Sequence, residues 1–166
     1  FVCSMTDLFQ DAVPDEWLLA IFSVMWRAPQ HTFQVLTKRA ERMHHFVTTH
    51  HALCERIEPG EHEWPLPNVW LGVSAENQQY ADERIPLLLQ TPAAVRFVSC
   101  EPLLGPIELD AIWYEKSRST IDSLTCEENP EDCADLGAAT LNWVILGGES
   151  GPGWRVMDGC WAEEIR

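Results

Sequence analysis

The stretch VWLGVSAEN, residues 69–77, decides the fold that we expect for this chain. Its first five residues are almost all branched or aromatic and apolar, which favours a strand buried on both faces. The polar run of residues 74–77 follows at once, and a helical pattern then continues to about Gln90. The stretch therefore predicts a strand that brings polar side chains to the start of the next helix.

The same strand-to-helix pattern recurs on both sides of this stretch. Further strands are predicted at residues 32–37, 95–100 and 143–146, and the opening Phe1-Val2-Cys3 reads as the tail of another. Helices are predicted from Asp15 to about Pro29, where the proline ends the pattern, and over residues 40–49. Strands that alternate with helices at this spacing favour a parallel sheet with helices outside it.

The polar residues that follow one strand after another favour a partial (β/α) TIM-like barrel of parallel strands, because barrel enzymes place their chemistry at that edge. An open doubly wound sheet is the alternative. A complete eight-stranded barrel takes about 250 residues. We therefore expect a barrel truncated at both ends, which the opening FVC and the closing WAEEIR also indicate.

Composition restricts the class of protein. The 166 residues are 46% hydrophobic and 22% charged, which predicts a single globular domain over residues 1–166. The formal net charge of −15 argues against nucleic-acid binding. No apolar run approaches the ~18 residues of a membrane span and no signal peptide is recognisable, so we expect a cytoplasmic protein without membrane attachment.

Two segments read as surface loops. Residues 55–67 combine prolines, a glycine and four acids. Residues 101–135 carry ten acids and two bases, with little apolar periodicity. We expect an acidic, solvated surface insertion at about residues 106–140.

Three glutamates each follow a predicted strand: Glu76, Glu101 and Glu149. In a parallel barrel they would share one mouth, and convergent charges in a concave site favour binding or catalysis. Alternatively, such side chains cap helices and bond to nearby backbone amides. The basic and amide candidates at the same edge are Lys38, Arg39 and Asn77.

Lys38 and Arg39 could hold a carboxylate or phosphate of a ligand, or could simply neutralise Glu76 and Glu101. Lys38 is nearer the strand end and is expected to face inward. Cys100 precedes Glu101 and could present a thiolate, although a lone strand cysteine is more often an inert small apolar residue.

The run Gly147-Gly148-Glu149-Ser150 offers exposed backbone amides and a carboxylate at a strand end, which suits the close approach of a ligand. A tight turn is the alternative. Ser4 and Asp7 follow the opening strand in the same way, and Asp7 could equally be a turn or cap residue.

The cysteines and histidines do not form a recognisable metal motif. The six cysteines include no C-x-x-C pair, and the cytosol disfavours disulfides, although Cys126 could pair with Cys133. A zinc site could be drawn from residues 44–62, but the spacing fits no established ligand pattern. We expect no metal site within this chain.

Four runs in order along the chain carry a resemblance: TFQVLTKRAERM (32–43), NVWLGVSAEN (68–77), SCEPLLG (99–105) and WVILGGESGP (143–152). Together they resemble the phage gene-product thirty-seven/sixty-eight family, a domain of unknown function carried by phages, prophages and bacteria. Members of that family resemble radical S-adenosylmethionine enzymes through a three-cysteine motif upstream of the first strand here.

The resemblance implies that a longer form holds a [4Fe-4S] cluster on those cysteines, which lie outside this chain, and that the mouth residues position S-adenosylmethionine and a substrate. The chain alone is then expected to be inactive. The alternative is a non-catalytic binding or regulatory module whose acidic insertion docks a basic partner protein, since family members are often encoded beside a partner. A hydrolase with a divalent ion on the three glutamates is a third hypothesis.

Overall fold

The computed structural model describes residues 1–3, 5–57, 64–125, 136 and 139–165, with the backbone alone from 51 to 57. Within these ranges, strands and helices alternate as the sequence predicts. The elements, in chain order, are α1 (Asp15–Arg27), β1 (Phe33–Thr37), α2 (Ala40–Ile57), β2 (Val69–Ser74), α3 (Gln78–Gln90), β3 (Val95–Cys100), β4 (Ile112–Tyr114), β5 (Ser119–Ile121), β6 (Trp143–Leu146) and α4 (Gly159–Glu164).

Four strands form a parallel sheet in the order β1-β2-β3-β6, which is also their order in the chain. Val2 extends the pairing beyond β1, because its amide donates to the carbonyl of Gln34 at 2.8 Å and it bridges Val35 in parallel. These four strands therefore form an open parallel sheet. The sequence predicted a partial TIM-like barrel of parallel strands truncated at both ends; the parallel strands with their helices are confirmed, and the sheet that they form is not closed.

One face of the sheet carries the helices and the core. Val35 lies in register with Leu71 on this face and Val73 lies in register with Val98, and all four are buried. They belong to one core with apolar residues of the three long helices. These helix residues include Leu18, Phe22, Met43, Phe46, Ile85 and Leu88.

The opposite face of the sheet, which we call the inner face, carries Leu36, Gly72, Phe97 and Trp143 in successive register. The ring of Phe97 lies directly over Gly72, since a Cβ atom at residue 72 would lie 2.5 Å from that ring. Phe97 also contacts Phe1 edge-on, with ring centroids 6.3 Å apart. An aromatic cluster therefore covers part of the inner face.

Charged residues stabilise both ends of the helix α1, and the side-chain amide of Asn68 also binds its carboxyl end. Asp15 in its first turn and Arg27 in its last complement the helix dipole. The Asn68 side chain, at the start of β2, donates to the carbonyls of Met25, Ala28 and His31 at 2.9, 3.2 and 3.2 Å. The end of α1 is thus tied to the start of β2.

Two expected loops differ from the structure. The helix α2 extends to Ile57, whereas the sequence predicted a helix to residue 49 and a loop from residue 55. The helix-breaking pair Pro59-Gly60 comes only after this end. Residues 106–125 are not a wholly solvated insertion, because β4 and β5 form an antiparallel hairpin and Ile107, Leu109 and Ile112 are buried.

None of the helices in the described ranges combines the length and the apolarity that crossing a bilayer requires.

Candidate functional site

The carboxyl ends of β1, β2, β3 and β6 lie at one edge of the sheet, which we call the carboxyl edge. All nine residues singled out from the sequence for ligand binding follow one of these four strands. Their side chains do not converge on a single point, however. Each of the three glutamates has different neighbours, and these neighbours decide which of them is available to a ligand.

Asp7 organises the end of β1. Its carboxylate accepts hydrogen bonds from Thr37 Oγ1 at 2.7 Å, from the Lys38 amide at 3.0 Å and from Arg39 Nη1 at 2.9 Å, and also from the amide of Phe9. Burial raises the pKa of Asp7, but these hydrogen bonds outweigh it and leave the pKa below its ordinary value. Asp7 and Arg39 therefore serve mainly to brace the strand end.

Glu76 is buried between two cations. Its carboxylate pairs with Lys38 Nζ and with Arg84 Nη1, the latter at 3.2 Å. Burial raises the pKa of Glu76, but the hydrogen bond and charge of Lys38 and the charge of Arg84 bring it below its ordinary value. Of the two roles expected for Lys38, the structure shows neutralisation of Glu76.

Arg84 is, with Arg155, one of two residues of this edge that sequence reasoning missed. It lies on α3, almost fully buried, and donates to the carbonyl of Ser74 at 2.8 Å as well as to Glu76. Its guanidinium also stacks on the ring of Tyr80, 4.2 Å from the centroid. A signal was present, because Arg84 occupies the same helix face as Ala81 and Leu88, a face that otherwise carries apolar residues.

Glu101 differs from the other two glutamates. Among the described residues its carboxylate has no cationic partner and accepts only a long hydrogen bond from Ser99 Oγ, at 3.4 Å. It lies at the rim of a cavity of about 240 Å³ at the carboxyl edge of the inner face. The cavity is lined by Phe1, Val2, Cys3, Thr6, Leu36, Ser99 and Glu101.

Gly147 is the residue that lets Glu101 occupy this position. A Cβ atom at residue 147 would lie 3.0 Å from both Cγ and Cδ of Glu101. The backbone at the end of β6 also closes onto the end of β3, since the Gly147 carbonyl accepts from the Leu103 amide at 2.8 Å. This glycine therefore provides space for a carboxylate, whereas the sequence suggested that it exposes amides to a ligand.

Glu149 is engaged within its own loop. Its carboxylate accepts hydrogen bonds from the amide, Nε and Nη2 of Arg155, all at 2.8 Å. The hydrogen bonds from Arg155 hold the pKa of Glu149 at about 2. Gly148 and Ser150 flank it and are exposed. The structure thus gives Glu149 a bracing role in the loop after β6.

Two further candidates have structural roles. Asn77 caps α3, because its Oδ1 accepts from the Tyr80 amide at 3.2 Å. Cys100 points to the helix-covered face, and burial together with the charges of Glu76 and Glu101 raises the pKa of its thiol to about 12. Cys100 is therefore a neutral thiol at physiological pH.

Two histidines of α2 form hydrogen bonds within the helix or to its surroundings. His44 Nδ1 lies 3.3 Å from Thr91 Oγ1, and His50 Nδ1 lies 3.0 Å from the Phe46 carbonyl. No group of three or more histidine, cysteine or carboxylate side chains that could hold a metal ion occurs in the described ranges. Ser4, His62, the side chain of Cys54 and the Cys126–Cys133 pairing lie outside the described residues.

Comparison with known proteins identifies the family of this chain, but it finds no curated or solved relative. No curated protein and no solved structure matches the chain. A family pattern, in contrast, matches it from the first residue to the last. The chain belongs to the family described as "Protein of unknown function (DUF5131)", with residues 1–166 matched.

Proposed function

We propose that this domain binds a small ligand rich in hydrogen-bond donors at the carboxyl edge of the inner face, with Glu101 as the anchoring carboxylate. The observation that carries the proposal is that Glu101, alone among the three strand-end glutamates, has no cationic partner in the described ranges and lines a cavity. A carboxylate in that state attracts ammonium, sulfonium or hydroxyl groups of a ligand.

S-Adenosylmethionine belongs to this chemical class, since it carries an ammonium group, a sulfonium and two ribose hydroxyls. The cavity of about 240 Å³ lies just below the ~300–1,000 Å³ typical of ligand pockets, so it would hold one end of such a molecule. Ser99, Thr6 and Cys3 supply further polar groups to its wall. The apolar side chains of Phe1 and Leu36 supply the remaining contact area.

We further propose that the four strands are consecutive members of a (β/α) barrel. The strand order follows the chain order without the reversal that defines a doubly wound sheet. The aromatic inner face, which lies opposite the helices, is consistent with a barrel interior. The ligand site would then lie at the mouth, where barrel enzymes bind their substrates.

A [4Fe-4S] cluster does not fit the side chains that the structure describes. They offer no group of three or more cysteine, histidine or carboxylate ligands, and the thiol of Cys100 is buried with a pKa of about 12. Cluster ligands would have to come from other residues. The role that we propose for the described part of the chain is therefore ligand binding.

Isothermal titration with S-adenosylmethionine tests the ligand proposal. We expect saturable binding to the wild-type chain and a loss of about tenfold in affinity for Glu101→Gln, because the substitution removes a charge-assisted hydrogen bond. Glu149→Gln is the matched control, since Glu149 is already engaged by Arg155. Equal affinities for the wild type and Glu101→Gln would overturn the assignment of Glu101.

A further inference from the structure

A groove of about 440 Å³ lies between α3 and the β4–β5 hairpin, away from the carboxyl edge. Its apolar floor includes Pro86, Leu87 and the indole of Trp113. Its rim includes Glu83 on the helix and Glu115 and Lys116 on the hairpin. The groove thus combines an apolar floor with charged walls on two elements.

The groove is a preformed feature, because the hairpin is fastened to α3. The Trp113 amide donates to Asp82 Oδ1 at 3.0 Å, and Gln78 Nε2 donates to the same oxygen at 2.8 Å. Gln78 Oε1 in turn accepts from the Glu108 amide at 2.7 Å. A partner would therefore meet a surface that needs little rearrangement, which lowers the entropic cost of binding.

The indole of Trp113 is exposed at the surface of this groove, and a hydrogen bond fixes its orientation. Its neighbours in β4, Ile112 and Tyr114, are buried, whereas the Trp113 side chain is 41% exposed. Its Nε1 donates to Glu115 Oε2 at 3.0 Å, which fixes the orientation of the indole. An exposed, oriented tryptophan next to carboxylates is suited to a cation with an apolar stem.

We propose that this groove docks a lysine- or arginine-rich segment of a partner protein. The aliphatic stems of such side chains would pack on Pro86, Leu87 and Trp113, and their charged ends would reach Glu83 and Glu115. Charge complementarity supports this occupant, because the groove is lined by three carboxylates, Asp82, Glu83 and Glu115, against one cation, Lys116. The same charge repels nucleic acids and anionic lipid surfaces. The inference is independent of the ligand site at Glu101.

Fluorescence anisotropy with a labelled ten-residue peptide that alternates lysine and leucine tests the proposal on the full chain. We expect saturable binding that weakens about tenfold for Trp113→Ala, which removes the stacking surface. Glu83→Lys reverses an exposed charge at the rim, cannot disturb the core, and should weaken binding about fivefold. A peptide that alternates glutamate and leucine should not bind.

Matched controls lie on α1, away from the groove. Trp17 is 65% exposed, and Glu16 beside it is also exposed. Trp17→Ala and Glu16→Lys should leave the affinity for the peptide unchanged. The proposal is overturned if the basic peptide fails to bind, or if the α1 variants weaken binding as much as the groove variants, which would mean non-specific attraction to an acidic chain.

Discussion

The side chain of Glu101 lies in the space that a side chain at residue 147 would fill: a Cβ atom there would be 3.0 Å from the Cδ of Glu101. Two residues from the ends of neighbouring strands, β3 and β6, thus share one site. The carboxylate keeps its position at the cavity because the next strand ends in a glycine.

Gly147→Ala should therefore displace Glu101 and weaken S-adenosylmethionine binding about as much as Glu101→Gln does, that is about tenfold. Gly148→Ala is the matched control, since a Cβ atom there meets only the Cβ of Met157 at an ordinary 3.5 Å. Titration calorimetry on both variants measures the difference. If the two alanine variants bind equally well, the packing of Glu101 against residue 147 does not control the site.

Glu76→Gln should destabilise the fold, because it leaves the buried guanidinium of Arg84 without its anionic partner. We expect a loss of about 3 kcal/mol in the free energy of unfolding at pH 7, measured by urea denaturation. Leu124→Ala, at an exposed position in the segment after β5, is a control that should change this free energy little.

The effect of Glu76→Gln should also depend on pH with a defined sign. The pKa of Glu76 is lower in the folded chain than its ordinary value of 4.5, so the ionised carboxylate favours folding above that pH. The stability difference between wild type and variant should therefore be complete at neutral pH. It should shrink as the pH falls below about 4.5 and through the folded pKa. A difference that is constant from pH 7 to pH 3 would contradict the ion-pair explanation.

Asn68→Ala should loosen the connection between α1 and β2. The substitution leaves the carbonyls of Met25 in α1, and of Ala28 and His31 just after it, without the amide that they share, and we expect a loss of about 1–2 kcal/mol in stability. Hydrogen exchange should show the amides of the last turn of α1 becoming less protected. Asn68→Asp keeps the size of the side chain but removes its hydrogen-bond donor, so this variant should be destabilised by a similar amount. Full stability of Asn68→Asp would show that the packing of the side chain matters more than its hydrogen bonds.

Cys100 should resist alkylation in the folded chain. Its thiol is buried with a pKa of about 12, whereas Cys3 is exposed. Iodoacetamide at pH 8 followed by peptide mapping should label Cys3 and leave Cys100 unmodified until urea is added. Rapid labelling of Cys100 under native conditions would show that the end of β3 opens readily.

The sequence was sufficient to predict the strands of the sheet and the residues at its carboxyl edge. Strands such as β2 are continuous apolar runs because both of their faces are covered, and this pattern is visible in the order of residues alone. The placement of Glu76, Glu101 and Glu149 beyond the strand ends followed from the same alternation, whereas the order of the strands in the sheet did not, since a doubly wound sheet shows the same alternation.

The sequence could not show which of the three glutamates is available. That depends on where Arg84 and Arg155 direct their guanidinium groups, and long side chains reach partners that spacing does not identify. The β4–β5 hairpin escaped prediction for a different reason. Strands of three residues are too short to display an alternating pattern, and their acidic neighbours made the segment resemble solvated loop.

The contact of Phe97 with Gly72 has a consequence for how the family can vary. Any side chain at residue 72 would collide with the ring of Phe97, so the residue at 72 can grow only when the residue at 97 becomes smaller. The two positions lie on neighbouring strands, 25 positions apart in the sequence. The sizes of their side chains are nevertheless coupled by direct contact. Among relatives of this chain, we expect substitutions at 72 and 97 to occur together, with the aromatic ring retained wherever glycine is retained.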